Sequence, residues 1–399
     1  MNKIIQAIRD VQIFGEEGGV VPVIDHASAS TFLNPDDMER VFRGELQGCY
    51  LYSRHTNPTV IAFSKKMAAM ENTEAAFGVA SGMAAITCAV EQIMQNEGHI
   101  ISSNTIYGGT YALFENILKK RGIEITFVDP MDVSAFEKAI KSNTKMIYTE
   151  SMSNPLLGVG DLEAIGKLCK KNNIKLVVDN TFTPLMVTPS NLGADVVIHS
   201  CTKYISGASD MIAGVICSSS KFINELIDVN HGHAMIYGPV MDPRVAYELY
   251  SRLDHLHVRL QGHSSAAEIL VKKLKDEGIK GVTYAGSSDH PQFKVIKKLF
   301  NTDFGYGGMV TIDCGTLENA SRLAAKLQDN KFGLFAVSLG YSRTLMSCPS
   351  ASTSSEIPLK DQEKIGLKRG LLRLSVGYSG DSNHLAEKFV AAYREVISS

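Results

Sequence analysis

Two strand-like segments end in residues that belong together chemically. Within Lys175 to Lys203, the apolar run Leu176-Val177-Val178 reads as a buried strand ending in an acid, Asp179. A second run, Ala194 to His199, ends in Ser200-Cys201-Thr202-Lys203. Both polar ends follow β-branched apolar runs. Both are therefore expected at the carboxyl edge of a parallel sheet, where α/β proteins place ligands. An amine and a carboxylate flanked by hydroxyls is what a pyridoxal phosphate site requires. The lysine forms an imine with the aldehyde, and the acid keeps the pyridine nitrogen protonated so that the ring draws electrons. Taken alone, the same two residues equally serve to cap a turn or face solvent.

Other residues point to the same edge. Ser81-Gly82-Met83 lies where a strand turns into a helix. Serine suits an N-cap, glycine lets the backbone approach an anion, and the helix start favours a phosphate. An ordinary capped helix gives the same pattern. Ser200 and Thr202 offer hydroxyls to that phosphate. Tyr107 follows one strand and precedes a helix, so its ring could stack on a flat cofactor; a half-buried surface tyrosine reads the same way. Asn154, in Glu150-Ser-Met-Ser-Asn-Pro155, could hydrogen-bond a ring hydroxyl or merely mark a turn. Arg373 sits inside Gly370-Leu-Leu-Arg-Leu-Ser-Val-Gly377. A charge within a strand is costly unless paired, so Arg373 calls for a substrate carboxylate or an internal salt bridge.

The elements that must position these residues alternate. Short β-rich runs (77–80, 99–103, 123–128, 145–149, 174–178, 194–199, 212–217) interleave with helical ones (60–71, 82–96, 109–120, 132–142, 161–172). The fold class expected is α/β, a mostly parallel sheet with helices on both faces. A long helix over Arg244 to Glu277 then leads into a smaller C-terminal α+β region, with strands at 309–314 and 371–376 and helices at 317–329 and 382–397. The boundaries read as an N-terminal arm, 1–59, a cofactor-binding domain, 60–240, and a C-terminal domain, 241–399. The arm, with Gly18-Gly19 and little core of its own, is expected to lie against a neighbouring subunit.

The bulk numbers exclude other classes. At 399 residues, 21% charged and net charge −2, nothing favours nucleic acid or an acidic membrane as a partner. The seven cysteines form no CxxC pair, which suits reduced thiols in a cytoplasm. The first residues carry acids and no long apolar core, unlike a signal peptide. His231-Gly-His233 lacks a third metal ligand, and Gly305-Tyr-Gly-Gly308 lacks the spacing of a dinucleotide loop. No metal is expected.

Together, His199-Ser-Cys-Thr-Lys-Tyr204, Val177-Val-Asp-Asn-Thr181, Tyr52-Ser-Arg-His-Thr-Asn-Pro58, Ser81-Gly-Met83 and Ser338-Leu-Gly340 resemble the Cys/Met-metabolism family of fold-type I pyridoxal phosphate enzymes. The resemblance runs from about residue 20 to the C-terminus. It implies that Lys203 holds the cofactor and shuttles protons, that Asp179 pairs with the ring nitrogen, and that Tyr107 stacks and acts as acid–base. It implies further that Gly82, Met83, Ser200 and Thr202 hold the phosphate, joined by Tyr52 and Arg54 from an adjacent subunit. Ser81 and Thr181 fall in the cofactor-binding motifs, and Asn154 would touch the ring oxygen. Ser338 and Arg373 would bind the substrate carboxylate, beside Tyr52 and Val337. Such sites are shared in an obligate dimer, usually a dimer of dimers.

The sequence departs from the family pattern at Ala208, Ser354 and Ser379, and Asp242-Pro243 stands where Ser-Pro is usual. All border the substrate mouth. Enzymes that handle cystathionine commonly carry a glutamate where this chain has Val337, which favours a short apolar or acyl side chain. Gly109, where methionine γ-lyases often have cysteine, and Leu339-Gly-Tyr-Ser-Arg343 lean toward sulfhydrylases; length and Ser209-Asp210 lean toward lyases. The expected reaction is γ-elimination of methionine or homocysteine. O-acetylhomoserine sulfhydrylase, a cystathionine γ-synthase or γ-lyase, and a non-catalytic binding protein on the same scaffold are the alternatives.

Overall fold

The computed structural model describes residues 2–11, 20–43, 45–46 and 49–397, so Gly18-Gly19 lies outside the described residues. The first strands are β1 (Ala75–Val79), β2 (His99–Ser103), β3 (Glu124–Val128), β4 (Thr144–Glu150), β5 (Lys175–Asp179), β6 (Val196–Ser200) and β7 (Gly214–Ser218). They form one sheet in the order β1-β7-β6-β5-β4-β2-β3. From β6 to β3 every pairing is parallel. Strand β7 instead runs antiparallel to both β1 and β6. The 201–213 segment between β6 and β7 holds turns but no helix to carry a parallel crossover, so the chain doubles back.

Side chains of β5 alternate between two cores. Leu176 and Val178 pack with Phe63, Met67 and Ile165 on one face. Val177 packs with Ile86, Val90 and Tyr148 on the other. Each buried side chain of this size contributes about 1.5–3 kcal/mol, and with both faces covered the strand must read as a continuous apolar run. That is why its polar end, Asp179, stands out.

The second sheet comprises β8 (Val282–Tyr284), β9 (Met309–Asp313), β10 (Leu334–Phe335), β11 (Leu345–Ser347) and β12 (Leu371–Ser375), in the order β10-β11-β12-β9-β8. Its own core joins Val310, Ile312, Leu372 and Leu374 to Leu270, Leu323 and Phe389 of the helices Leu256–Asp276, Leu317–Asp329 and Ser382–Ile397.

Three segments differ from the sequence reading. The helix expected over Arg244 to Glu277 is two, Pro243–Leu253 and Leu256–Asp276. The break falls at His255, whose backbone (φ −117°, ψ 13°) leaves helical angles while Asp254 keeps them (φ −62°, ψ −27°). Buried Lys66 sits at this turn, its Nζ donating to the Tyr250 carbonyl at 3.3 Å and to Asp254 Oδ1 at 2.5 Å. The helix expected over 109–120 is α-helical only at Gly108–Ala112, then widens to a π turn at Leu113–Leu118 and tightens at Lys119–Arg121. Finally, the N-terminal arm, to which the sequence reading assigned no helix, holds helices Lys3–Asp10 and Pro35–Phe42. The second buries none of its residues, and Val20 and Leu33 are fully exposed. Among the described residues no helix is long and apolar enough to cross a membrane.

Candidate active site

In the parallel register, Val178 lies beside Val197 and Asp179 beside Ile198, so the ends of β5 and β6 emerge together. Strand β4 ends alongside, with Glu150 opposite Asp179. These ends open onto one cavity of about 300 Å³, the size of a small-ligand pocket. Asp179, Thr181, Ser200, Thr202 and Lys203 line it from β5, β6 and the turns after them. Ser81, Gly82 and Met83 line it from the start of the helix Gly82–Met94, and Tyr107 and Asn154 from the loops after β2 and β4. Val337, Ser338 and Arg373 close it from the second sheet.

Thr181 binds the two central strands to each other. Asp179 Oδ1 accepts from Thr181 N at 3.0 Å and from its Oγ1 at 2.5 Å. The same Oγ1 accepts from Ser200 N at 2.8 Å. Both Thr181 bonds land on Oδ1, which leaves Oδ2 for a donor in the cavity. Burial pushes the Asp179 carboxyl above its ordinary value, and the Thr181 bonds oppose that rise. A cationic ring nitrogen would complete the compensation.

Lys203 Nζ donates to Ser338 Oγ at 2.8 Å. Burial, then the nearby charge of Arg373, pull this amine down to about 8. About one amine in ten is then neutral at pH 7, against about one in three thousand for an ordinary lysine. Uptake of pyridoxal phosphate by the apoprotein, followed by absorbance, should therefore accelerate with pH and level off above about 8. An inflection near the ordinary lysine value of about 10.4 would contradict this reading.

Arg373 is buried within β12. Its Nη1 donates to Asn154 Oδ1 at 2.8 Å and its Nη2 to the Ser338 carbonyl at 3.2 Å. Among the described residues no carboxylate pairs with it, so the internal salt bridge considered from the sequence is not what holds it. Burial pulls its guanidinium down to about 10, still a cation at neutral pH. An unpaired buried cation facing a cavity is suited to a carboxylate from outside. Ser338, with φ of 86°, is held in the left-handed region at a cost of about 1 kcal/mol, presenting its carbonyl to Arg373 and its hydroxyl to Lys203.

At the opposite end, Ser81 Oγ caps the helix by accepting from Ala84 N at 3.0 Å. A Cβ on Gly82 would come within 2.7 Å of Ser200 Cβ. Only glycine lets the helix start approach the Ser200 turn this closely. The helix-terminal amides and the Ser200 hydroxyl thus meet at this end of the cavity, an arrangement suited to an anion seat, while Thr202 Oγ1 donates to the Ala213 carbonyl at 3.3 Å. An amine with a depressed pKa, a buried acid and an anion seat are the groups pyridoxal phosphate needs, and the residues present fit it. The Tyr107 ring lies over Gly109, whose Cβ would come within 2.6 Å of its Cε1. Burial first, then Glu356, raise its phenol, while Arg373 opposes.

Tyr52 and Arg54 are not brought to this cavity by their own chain. Tyr52 is half-exposed, and Arg54 Nη1 donates to the Met235 carbonyl at 2.9 Å. Of the lining residues that the sequence reading did not single out, among them Met152, Phe182 and Ile212, Glu150 is the charged one. Its Oε1 accepts from Tyr107 N at 2.7 Å and its Oε2 from Asn154 N at 3.0 Å. The available signal was an acid ending a strand, the same signal that singled out Asp179.

The description Cys/Met metabolism PLP-dependent enzyme fits residues 5–392. A methionine gamma-lyase of Arabidopsis thaliana is 43% identical over 386 residues, covering 95% of this chain and 87% of the relative. A cystathionine gamma-lyase of Bacillus subtilis is 36% identical over 349 residues, covering 87% and 89%. Among solved structures, a candidate O-acetylhomoserine (thiol)-lyase from Campylobacter jejuni superposes with a TM-score of 0.89 at 29% identity over the whole of both chains. It carries N'-pyridoxyl-lysine-5'-monophosphate.

Proposed function

The chain belongs to the Cys/Met metabolism PLP-dependent enzymes, and from that premise we propose that it is a carbon–sulfur lyase acting on L-methionine or homocysteine. The reaction is γ-elimination: the Cγ–S bond breaks, one water is consumed, and ammonia and 2-oxobutanoate leave with methanethiol from methionine or hydrogen sulfide from homocysteine.

When bound, pyridoxal phosphate supplies an aldehyde carbon for an amine and a ring that draws electrons from the substrate Cα. The chain's residues do the rest. Asp179 Oδ2 holds the proton of the ring nitrogen. Arg373, with Asn154 and Ser338, binds the substrate carboxylate and so fixes the direction of the Cα–H bond. Lys203 Nζ, depressed enough to be partly neutral, takes the Cα proton and delivers it along the substrate. Tyr107, whose raised phenol stays protonated at neutral pH, gives a proton to the leaving sulfur. Tyr52 and Arg54 of a second copy of the chain complete the anion seat, which makes the working unit at least a dimer.

The observation that carries the choice of substrate is the wall beside Ser338. Val337 and Leu339 line the cavity together with Met152, Phe182 and Ile212. An apolar wall suits a thioether and offers no partner to a distal ammonium. Glu356 packs against Gly108 and is not among the lining residues. Incubating the cofactor-loaded protein with methionine should yield 2-oxobutanoate and methanethiol in equal amounts. No 2-oxobutanoate from methionine, together with homocysteine from O-acetylhomoserine and sulfide, would overturn the lyase in favour of a sulfhydrylase.

A further inference from the structure

The cavity contains a second buried carboxylate that the mechanism above does not use. Glu150 closes β4 directly opposite Asp179, and both are buried. Two carboxylates side by side in a low-dielectric site repel each other, and burial with Asp179's charge pushes the Glu150 carboxyl well up. Such a pairing is a poor choice for stability alone.

Its hydrogen bonds indicate what it does. Each Glu150 oxygen accepts one main-chain amide, from Tyr107 at 2.7 Å and from Asn154 at 3.0 Å. Those amides belong to different loops, one after β2 and one after β4. The Asn154 side chain in turn accepts from Arg373 at 2.8 Å, and Arg373 donates to the carbonyl of Ser338, whose hydroxyl accepts from Lys203 at 2.8 Å. A run of hydrogen bonds, joined through the covalent frames of Asn154 and Ser338, therefore leads from the Tyr107 backbone through Glu150 to the carboxylate clamp and the lysine.

We propose that Glu150 is a positioning residue that sets the Asn154–Arg373 clamp against the Tyr107 loop, so that the site reads the substrate's carboxylate. The proposal rests on the functional reading above for the role of Arg373, but not on the choice of reaction. Glutamine cannot replace it. One of its terminal atoms is a donor, and whichever way the amide turns, that donor meets a backbone N–H.

The test uses norleucine, an isostere of methionine with no leaving group, and pentylamine, the same chain without the carboxylate. Each is titrated into the cofactor-loaded protein and followed by visible absorbance and circular dichroism. In Glu150→Gln, norleucine should weaken by at least about tenfold while pentylamine holds its affinity, because only the clamp is disturbed. In a double-mutant cycle with Asn154→Ala the losses should be non-additive, since without the Asn154 side chain Glu150 has no clamp to set. Equal weakening of both ligands, an unchanged ratio, or additive losses would overturn the proposal. Should Glu150→Gln fail to retain cofactor, Glu150→Asp keeps the carboxyl group but shortens the reach, and the same ratio must move. If wild type does not prefer norleucine to pentylamine, it is the Arg373 clamp that fails. If it does, but methionine gives no 2-oxobutanoate, the reaction is wrong and the Glu150 inference stands.

Discussion

Lys203→Ala should lower turnover of the amino-acid substrate by about ten-thousand-fold or more while leaving the fold intact. The loss is large because one side chain carries two tasks. On the proposed function it is both the covalent anchor for the cofactor and the base that moves the substrate's Cα proton. The fold should survive because the amine is held at a cost: burial and the charge of Arg373 already depress it to about 8. Removing it relieves that cost and leaves only the Ser338 hydroxyl, at the cavity wall, to be hydrated. Steady-state rates and a thermal unfolding curve measured on one preparation check both halves. A variant that keeps more than about one hundredth of the activity would place the base elsewhere.

Arg373→Ala should lower kcat/KM by about a hundred- to a thousandfold, mostly through a higher KM. On the proposed function the planar guanidinium would meet a carboxylate while keeping its bonds to Asn154 and Ser338, which a lysine cannot do, so Arg373→Lys should rescue little. Truncation also leaves Asn154 Oδ1 and the Ser338 carbonyl without their donor, which predicts a stability loss of about 1–3 kcal/mol. A second consequence has a definite sign. The positive charge of Arg373 helps to depress Lys203, so its removal should move the pH inflection of cofactor uptake upward. Rates across the amino acid and its decarboxylated analogue, with that pH profile, test the account together. A parallel loss on both substrates would show that Arg373 supports the fold rather than the carboxylate.

Much of this site was legible because the strands that carry it are buried on both faces. Leu176 to Val178 cannot be anything but interior, so the first polar residue after them, Asp179, marks the sheet edge. The same logic led from β6 to Ser200, Thr202 and Lys203. Arg373 stood out for the opposite reason, as a charge inside an apolar run. Glu150 was not recognised, although it ends β4 as Asp179 ends β5. Its role depends on which main-chain amides reach it from separate loops, and sequence carries no trace of that. The antiparallel return of β7 was hidden for a related reason: the 201–213 segment reads as polar punctuation whether it crosses over or doubles back. The split of the helix expected over Arg244 to Glu277 falls at His255, where the backbone leaves helical angles although no glycine or proline marks the position. Tyr52 and Arg54 were legible only by resemblance, and within one chain they face away from the cavity.

The central claim is that the cofactor is carried by one side chain. It is tested most directly by reducing the pyridoxal phosphate-loaded protein with borohydride, digesting it, and locating the pyridoxyl group by mass spectrometry. The account predicts a single modified residue, Lys203, in stoichiometric yield. A pyridoxyl group fixed at another lysine, or a protein reduced without any label at Lys203, would contradict it.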